Sequence, residues 1–211
     1  MMYGNYAEVK TRLFVKLSSG ERNSTVLNNV VGTTYHDLII TCHLLLDDDG
    51  DQIASVAIQK EWLKKWHVEE EQLIHDAIDS GEKLFPAYIR KLYELIGICC
   101  DEPGILMVVI TNNRFINGAV TILYPGILNQ VADMIGGNYY IIPSSIHDMI
   151  AVSYGNDIYS EDLNQMIVSV NSDKSCVPEN EVLSYHAYHY DAAEKIFELA
   201  EAFENRVNIT R

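Results

Sequence analysis

The sequence predicts an α+β fold: a mixed, largely antiparallel sheet with helices packed on it. Three features of its second half carry this expectation. Residues 105–111 and 118–124 are short β-branched runs separated by polar turn residues, so they read as two paired strands. Ile127, Leu128, Val131, Ala132 and Ile135 then recur at helical spacing. Residues 138–142 and 149–154 resume as strands around a break at Pro143. The result is a β-β-α-β-β core.

Each boundary has a chemical reason. Tyr124-Pro125-Gly126 stops the second run. Gly136-Gly137 ends the helix, because glycine accepts the positive φ that follows a last turn. From the N-terminus, Val9, Leu13, Phe14 and Leu17 fall on one helical face, which Ser18-Ser19-Gly20 closes. Residues 23–32 are weakly patterned and read as a short helix capped near Ser24 or Thr25, or as a loop. Residues 38–46 and 53–58 are apolar runs joined by Asp47-Asp48-Asp49-Gly50-Asp51, which reads as a β-hairpin with Gly50 at its tip. The aspartates share the early spacing of an EF-hand loop. Gln52 and Ile58 stand where that loop needs glycine and a bidentate glutamate, so the turn is preferred.

Trp62, Leu63 and Trp66 predict a short helix broken at His67-Val68. Glu69-Glu70-Glu71 opens another, carrying Leu73, Ile74, Ala77 and Ile78 and closing at Ser80-Gly81. Pro86 suits the start of a further helix burying Ile89, Leu92, Tyr93 and Ile96. Asp101-Glu102-Pro103-Gly104 is the expected boundary between an N-terminal lobe, 1–100, and a sheet lobe, 105–211, that together form one compact unit. Ser160 caps a helix with a stripe of Leu163, Met166, Ile167 and Val170. Residues 182–190 are strand-like but polar, which predicts an edge strand. Asp191 and Glu194 have capping-box spacing, ahead of a last helix with Ile196, Phe197, Ala200 and Phe203 inside.

Fifteen basic residues against 30 acidic ones give a net charge of −15. Such a surface repels nucleic acid and anionic membrane and suits solubility, a basic protein partner or mimicry of a nucleic acid. No apolar run is long enough to span a bilayer, and the start MMYGNYAEVK lacks a signal-peptide pattern. Cys42, Cys99, Cys100 and Cys176 show no framework spacing, so buried free thiols in a reducing, cytoplasmic setting are expected.

The loop Pro143-Ser144-Ser145-Ile146-His147-Asp148 is the first candidate for chemistry. His147 has the ring of a general base, Asp148 or another carboxylate the group to orient it, and Ser144 or Ser145 the hydroxyl of a nucleophile. There is no G-x-S-x-G elbow, and serines after proline also cap turns. His186 and His189 are the second candidate. In a strand their spacing puts them on opposite faces, so a shared metal ion is not expected. No Walker A loop or dinucleotide fingerprint occurs, and no cofactor is expected. Thirteen tyrosines against five phenylalanines, with Tyr124, Tyr139, Tyr140, Tyr185, Tyr188 and Tyr190 in the second half, suggest an amphipathic, interface-forming edge.

The run TNNRFINGAVTILYPGILNQVADMIGGNYYIIPSSIHDMI, with the later VLSYHAYHYD, resembles a domain-of-unknown-function family of anaerobic gut bacteria. Thr111, Asn112, Gly118, Ala119, Tyr124, Pro125, Gly126, Pro143, Ser144, Ser145, His147, Tyr190 and Asp191 carry the likeness, and Trp66, Val68 and Glu69-Glu70-Glu71 extend it into the first half. Asp148 departs from the family's glutamate. The resemblance implies a bacterial domain and no activity. It also makes Ser144, Ser145, His147 and Asp148, with Tyr124, the expected binding site. The leading functional expectation is a non-catalytic protein-interaction domain. The alternatives are a hydrolase or metal-assisted enzyme centred on His147, and an acidic mimic of nucleic acid.

Overall fold

The computed structural model describes residues 4–50, 52–97, 105–153, 155 and 158–207. It confirms an α+β fold built on two sheets, in which every strand pairing is antiparallel. The chain divides into two compact units, Met1–Pro86 and Ala87–Arg211. The boundary expected at residues 101–104 lies outside the described residues. Pairing of the strand after Pro86 with the second sheet assigns residues from Ala87 onward to the second unit.

The first unit opens with a one-turn helix, α1 (Tyr6–Val9), whose N-cap Asn5 forms a capping box with Glu8. The expected helix through Leu17 is instead a strand, β1 (Leu13–Ser19). Leu13, Val15 and Leu17 alternate as a strand requires, and the strand Leu38–Asp48 offers them Leu44, Cys42 and Ile40 across the ladder. After α2 (Gly20–Asn23) comes β2 (Gly32–Tyr35), a strand the sequence reading did not place. Its two-residue turn puts His36 at φ +56° before β3 (Leu38–Asp48). The expected hairpin to β4 (Ile53–Ala57) is present, with Gly50 at φ +95°. The Asp48 and Asp49 carboxylates accept from the backbone N–H groups of Gly50 and Gln52, which accounts for part of the acidic tip as turn chemistry.

His67 ends α3 (Lys60–Trp66) in the left-handed region, at φ +53°. The next helix, α4 (Glu70–Leu84), runs through Ser80-Gly81 rather than stopping there, because both residues are buried within the packed face that also holds Leu73 and Ala77. Asp76, 4% exposed, ties α4 to the N-terminus. It accepts from the Tyr6 hydroxyl at 2.6 Å and Gln72 at 3.0 Å and meets the Lys10 ammonium at 2.9 Å. Burial alone would push this carboxyl up. The hydrogen bonds from Lys10, Tyr6 and Gln72 outweigh burial and hold it below the usual range.

In the second unit, residues 87–91 form a strand, β5 (Ala87–Lys91), followed by the short α5 (Leu92–Leu95); the long helix expected after Pro86 does not form. Ile96 is 58% exposed instead of buried. Alternation of Ala87, Ile89 and Lys91 opposite Asn112, Ile110 and Val108 of β6 (Met107–Asn112) is the pattern that prevails. The second correction is at Gly118–Leu123, a 3-10 helix instead of a strand, although its apolar residues are buried as expected. The helix α6 (Ile127–Ile135) and its stop at Gly136, φ +93°, are as read. So are β7 (Tyr139–Pro143) and β8 (Met149–Ser153). Tyr154 lies outside the described residues.

Beyond α7 (Ser160–Ser172), β9 (Tyr188–Asp191) and β10 (Ile196–Leu199) complete the sheet in the order β10-β9-β7-β8-β6-β5. The chain closes with α8 (Ala200–Val207). Its expected first turn, 196–199, is β10. Strand β9 is not an edge, since it lies between β10 and β7 and all four of its residues are buried. Asp191 caps the hairpin turn through the N–H groups of Ala193 and Glu194. Leu163 and Ile167 of α7 pack with Ala200 and Phe203 of α8 and with Tyr140 in one core cluster. Met166 and Val170 of the expected stripe are each 45% exposed, because the buried face of α7 follows Ser160, Leu163, Ile167 and Asn171. Glu204 of α8 caps α7 from outside, accepting from the Ser160 N–H at 2.6 Å and the Ser160 hydroxyl at 2.5 Å.

Candidate functional site

Two loops of the second unit meet at the candidate site. The first leaves β6 at Asn112, and the side chain of that residue folds it. Asn112 Oδ1 accepts from the N–H of Arg114 at 3.0 Å and of Ile116 at 3.4 Å, while its Nδ2 donates to the Ile116 carbonyl at 2.9 Å. The backbone carbonyl of Asn112 takes the Phe115 N–H as well. One asparagine thus satisfies four groups of a loop too short to satisfy itself. The loop has Phe115 at φ +54° and Asn117 at φ +51°, the left-handed region that costs a side-chain-bearing residue roughly 1–2 kcal/mol.

The second loop, after β7, braces the first. Ser145 accepts from the His147 N–H at 3.0 Å and donates to Asp148 Oδ1 at 2.9 Å, which makes a closed turn of the Ser145-Ile146-His147-Asp148 segment. Thr111 Oγ1 donates to the His147 carbonyl at 2.7 Å, and the Ala119 N–H donates to the Ile146 carbonyl at 3.2 Å. Gly118 is required by this approach: a Cβ there would stand 2.5 Å from the His147 carbonyl oxygen and 2.7 Å from the Asn112 nitrogen.

The His147 ring closes the joint. Its Nδ1 accepts the Asn117 N–H at 3.1 Å, so that nitrogen carries the lone pair and Nε2 the proton. Nε2 faces the Glu181 carboxylate at 3.5 Å, with both side chains about 30% exposed. Glu181 is fixed in turn, because its carbonyl accepts the Ile146 N–H at 2.9 Å. The imidazole therefore links three segments: the Asn112 loop, its own turn and the 3-10 helix Glu179–Glu181.

Of the residues singled out from sequence, Ser145, His147 and Asp148 meet at this joint, and Ser144 is half-buried in the same turn. The hydroxyl of Ser145 is spent on Asp148 and on backbone, not on the imidazole. Tyr124 is 3% exposed and closes the 3-10 helix Gly118–Leu123. Sequence reasoning missed Asn117 and Glu181 as partners of His147, and Phe115 as the exposed product of the arrangement. The Asn117-Gly118 pair was a turn signal, and nothing local pointed to Glu181, which lies 34 positions after His147 by the numbering.

The other candidates stand elsewhere. His189 is fully buried in β9, its ring stacked on Phe203 at a centroid distance of 3.4 Å and set edge-on to Tyr140. Burial, with Arg206 adding to it against Asp191, pushes its pKa down to about 4. Burial and Lys16 push that of His43, in the first unit, down to about 3. Among the described residues, no three His, Cys, Asp or Glu side chains gather as metal ligands. Cys42 is buried, its thiol pushed up to about 12 by burial, and Cys176 is exposed, contrary to expectation. Cys99 and Cys100 lie outside the described residues.

The tyrosine-rich edge is corrected too. Tyr139, Tyr140, Tyr188 and Tyr190 are at most 3% exposed. They are core side chains whose polar tips find internal acceptors: Tyr139 bonds the Leu128 carbonyl, Tyr190 bonds Asn129, and Tyr140 bonds Glu204. The exposed aromatic of this region is Phe115, 55% exposed, set 5.3 Å from Tyr88 of β5 in an edge-on contact.

Compared with known proteins, residues 1–192 match a family described as a family of unknown function, DUF5688. No curated protein and no solved structure matches the chain. No helix among the described residues is long and apolar enough to cross a membrane.

Proposed function

Since the chain belongs to the family of unknown function DUF5688, its own geometry has to carry the functional reading, and we propose that it is a non-catalytic protein-interaction domain of the bacterial cytoplasm. The observation that carries the reading is Phe115. A large apolar side chain is held 55% exposed, in a backbone conformation that disfavours it, by a loop braced at Asn112 and His147. Strain of this kind persists where the surrounding structure enforces it, and it points to a role for the side chain so presented. A rigid exposed aromatic buries much area on binding at little entropic cost. The buried free thiol of Cys42 suits a reducing compartment.

The hydrolytic alternative centred on His147 has less support. A general base needs a lone pair free for substrate, and here Nδ1 is engaged by Asn117 while Nε2–H faces Glu181. Affinity capture with the full chain tests the reading. The wild type should retain a specific protein that the Phe115→Ala variant, folded to the same circular-dichroism spectrum, loses. Equal capture by both proteins would overturn it.

A further inference from the structure

Beside Phe115, the sheet ends in β5, and no strand pairs with its outer side among the described residues. Unpaired strand edges of this kind accept an added strand. The side chains along β5 say which kind. Tyr88 and Arg90 share a face by the β5–β6 register, and the Arg90 guanidinium lies 5.0 Å from the Tyr88 ring centroid. One guanidinium nitrogen donates to the Ile89 carbonyl at 3.0 Å, which fixes the group further. Arg90 is exposed and pairs with no carboxylate among the described residues.

Lys91 follows, so β5 itself carries two cations and no acidic residue. Apolar groups stand at both ends of the strand: Phe115 beside Tyr88 at its start, and Leu95, Ile96 and Ile105, exposed by 40%, 58% and 59%, beyond its end.

From this pattern we infer that the β5 edge binds an extended segment of a partner protein, apolar at its two ends and acidic between them. The segment adds as a strand about 17 Å long, the span of five residues. One apolar end packs on Phe115 and Tyr88, and the other on Leu95, Ile96 and Ile105. Its carboxylates meet Arg90, whose fork geometry favours a carboxylate and whose stacking on Tyr88 leaves little entropy to lose. The inference rests on the interaction reading above and adds the chemistry of the partner.

Short synthetic peptides of that pattern, with glutamates or with lysines between leucine and phenylalanine ends, supply the test against the full chain by fluorescence anisotropy. The glutamate peptides should bind the wild type in preference to the lysine peptides. Arg90→Glu should weaken glutamate peptides by about tenfold or more and strengthen the lysine peptides. Lysine peptides binding as well as glutamate peptides, indifference to Arg90→Glu, or binding by no peptide would overturn the inference. The two readings fail separately. A partner captured through Phe115 whose binding ignores Arg90→Glu leaves the interaction domain standing and removes the acidic segment, whereas loss of Phe115-dependent capture removes both.

Discussion

At the scale of single residues, Asn112 and Phe115 make opposite contributions. Asn112 is 2% exposed and its amide closes the loop from both ends, so removing it strands buried or half-buried backbone groups. Asn112→Ala should lower stability by about 1–3 kcal/mol, the cost of leaving such groups unpaired. Phe115 holds a left-handed φ that glycine adopts freely. Phe115→Gly relieves about 1 kcal/mol of backbone cost and gives up an edge-on ring contact of about the same size. Its thermal midpoint should therefore stay within about 2 °C of wild type or rise, while partner capture is lost. Thermal melts of the two variants side by side check this. A large destabilisation by Phe115→Gly would mean that the ring is structural and that its exposure serves nothing.

At the scale of elements, the sequence was legible where one periodicity had no competitor. The helix Ile127–Ile135 and its glycine stop, the hairpin through Gly50, and the strands on either side of Pro143 follow from local pattern alone. It misled where two periodicities fitted the same residues. Leu13, Phe14 and Leu17 suit a helix and Leu13, Val15 and Leu17 suit a strand; the decision fell to β3, far along the chain. Pro86 with Ile89, Leu92 and Tyr93 posed the same ambiguity, and β6 settled it in favour of a strand. Residues 118–123 are apolar and β-branched enough for a strand. Close approach of Gly118 to the Asn112 and His147 backbones winds them into a 3-10 turn instead. The site was half legible for the same reason. The Ser145–Asp148 turn is local and could be read, whereas Glu181 and the register that brings Thr111 to the His147 carbonyl are properties of the fold.

At the scale of the whole molecule, each unit holds a histidine whose pKa burial pushes down, the half-buried His43 in the first and the fully buried His189 in the second. Their folded pKa values, about 3 and about 4, lie below the ordinary 6.5. As pH falls below about 6.5 the unfolded chain takes up these protons while the folded chain does not, so stability is full above that pH and declines toward pH 4. Thermal midpoints should drop steadily between about pH 6.5 and about pH 4.5, before most carboxylates titrate. The slope should be shallower in His189→Phe, which keeps a ring against Phe203. A flat profile over that range would contradict the burial of these rings as neutral groups.

The central claim is that His147 is a strut: its Nδ1 holds the Asn117 N–H of the loop that presents Phe115, while its Nε2 faces Glu181. Nitrogen-detected NMR of the histidine rings, assigned with a His147→Gln variant, measures this directly. The account predicts a single tautomer for neutral His147, with the proton on Nε2 and an acceptor shift at Nδ1, together with an Asn117 amide slow to exchange. A proton on Nδ1, or an averaged mixture of tautomers with a fast-exchanging Asn117 amide, would contradict it and return His147 to the role of an available base.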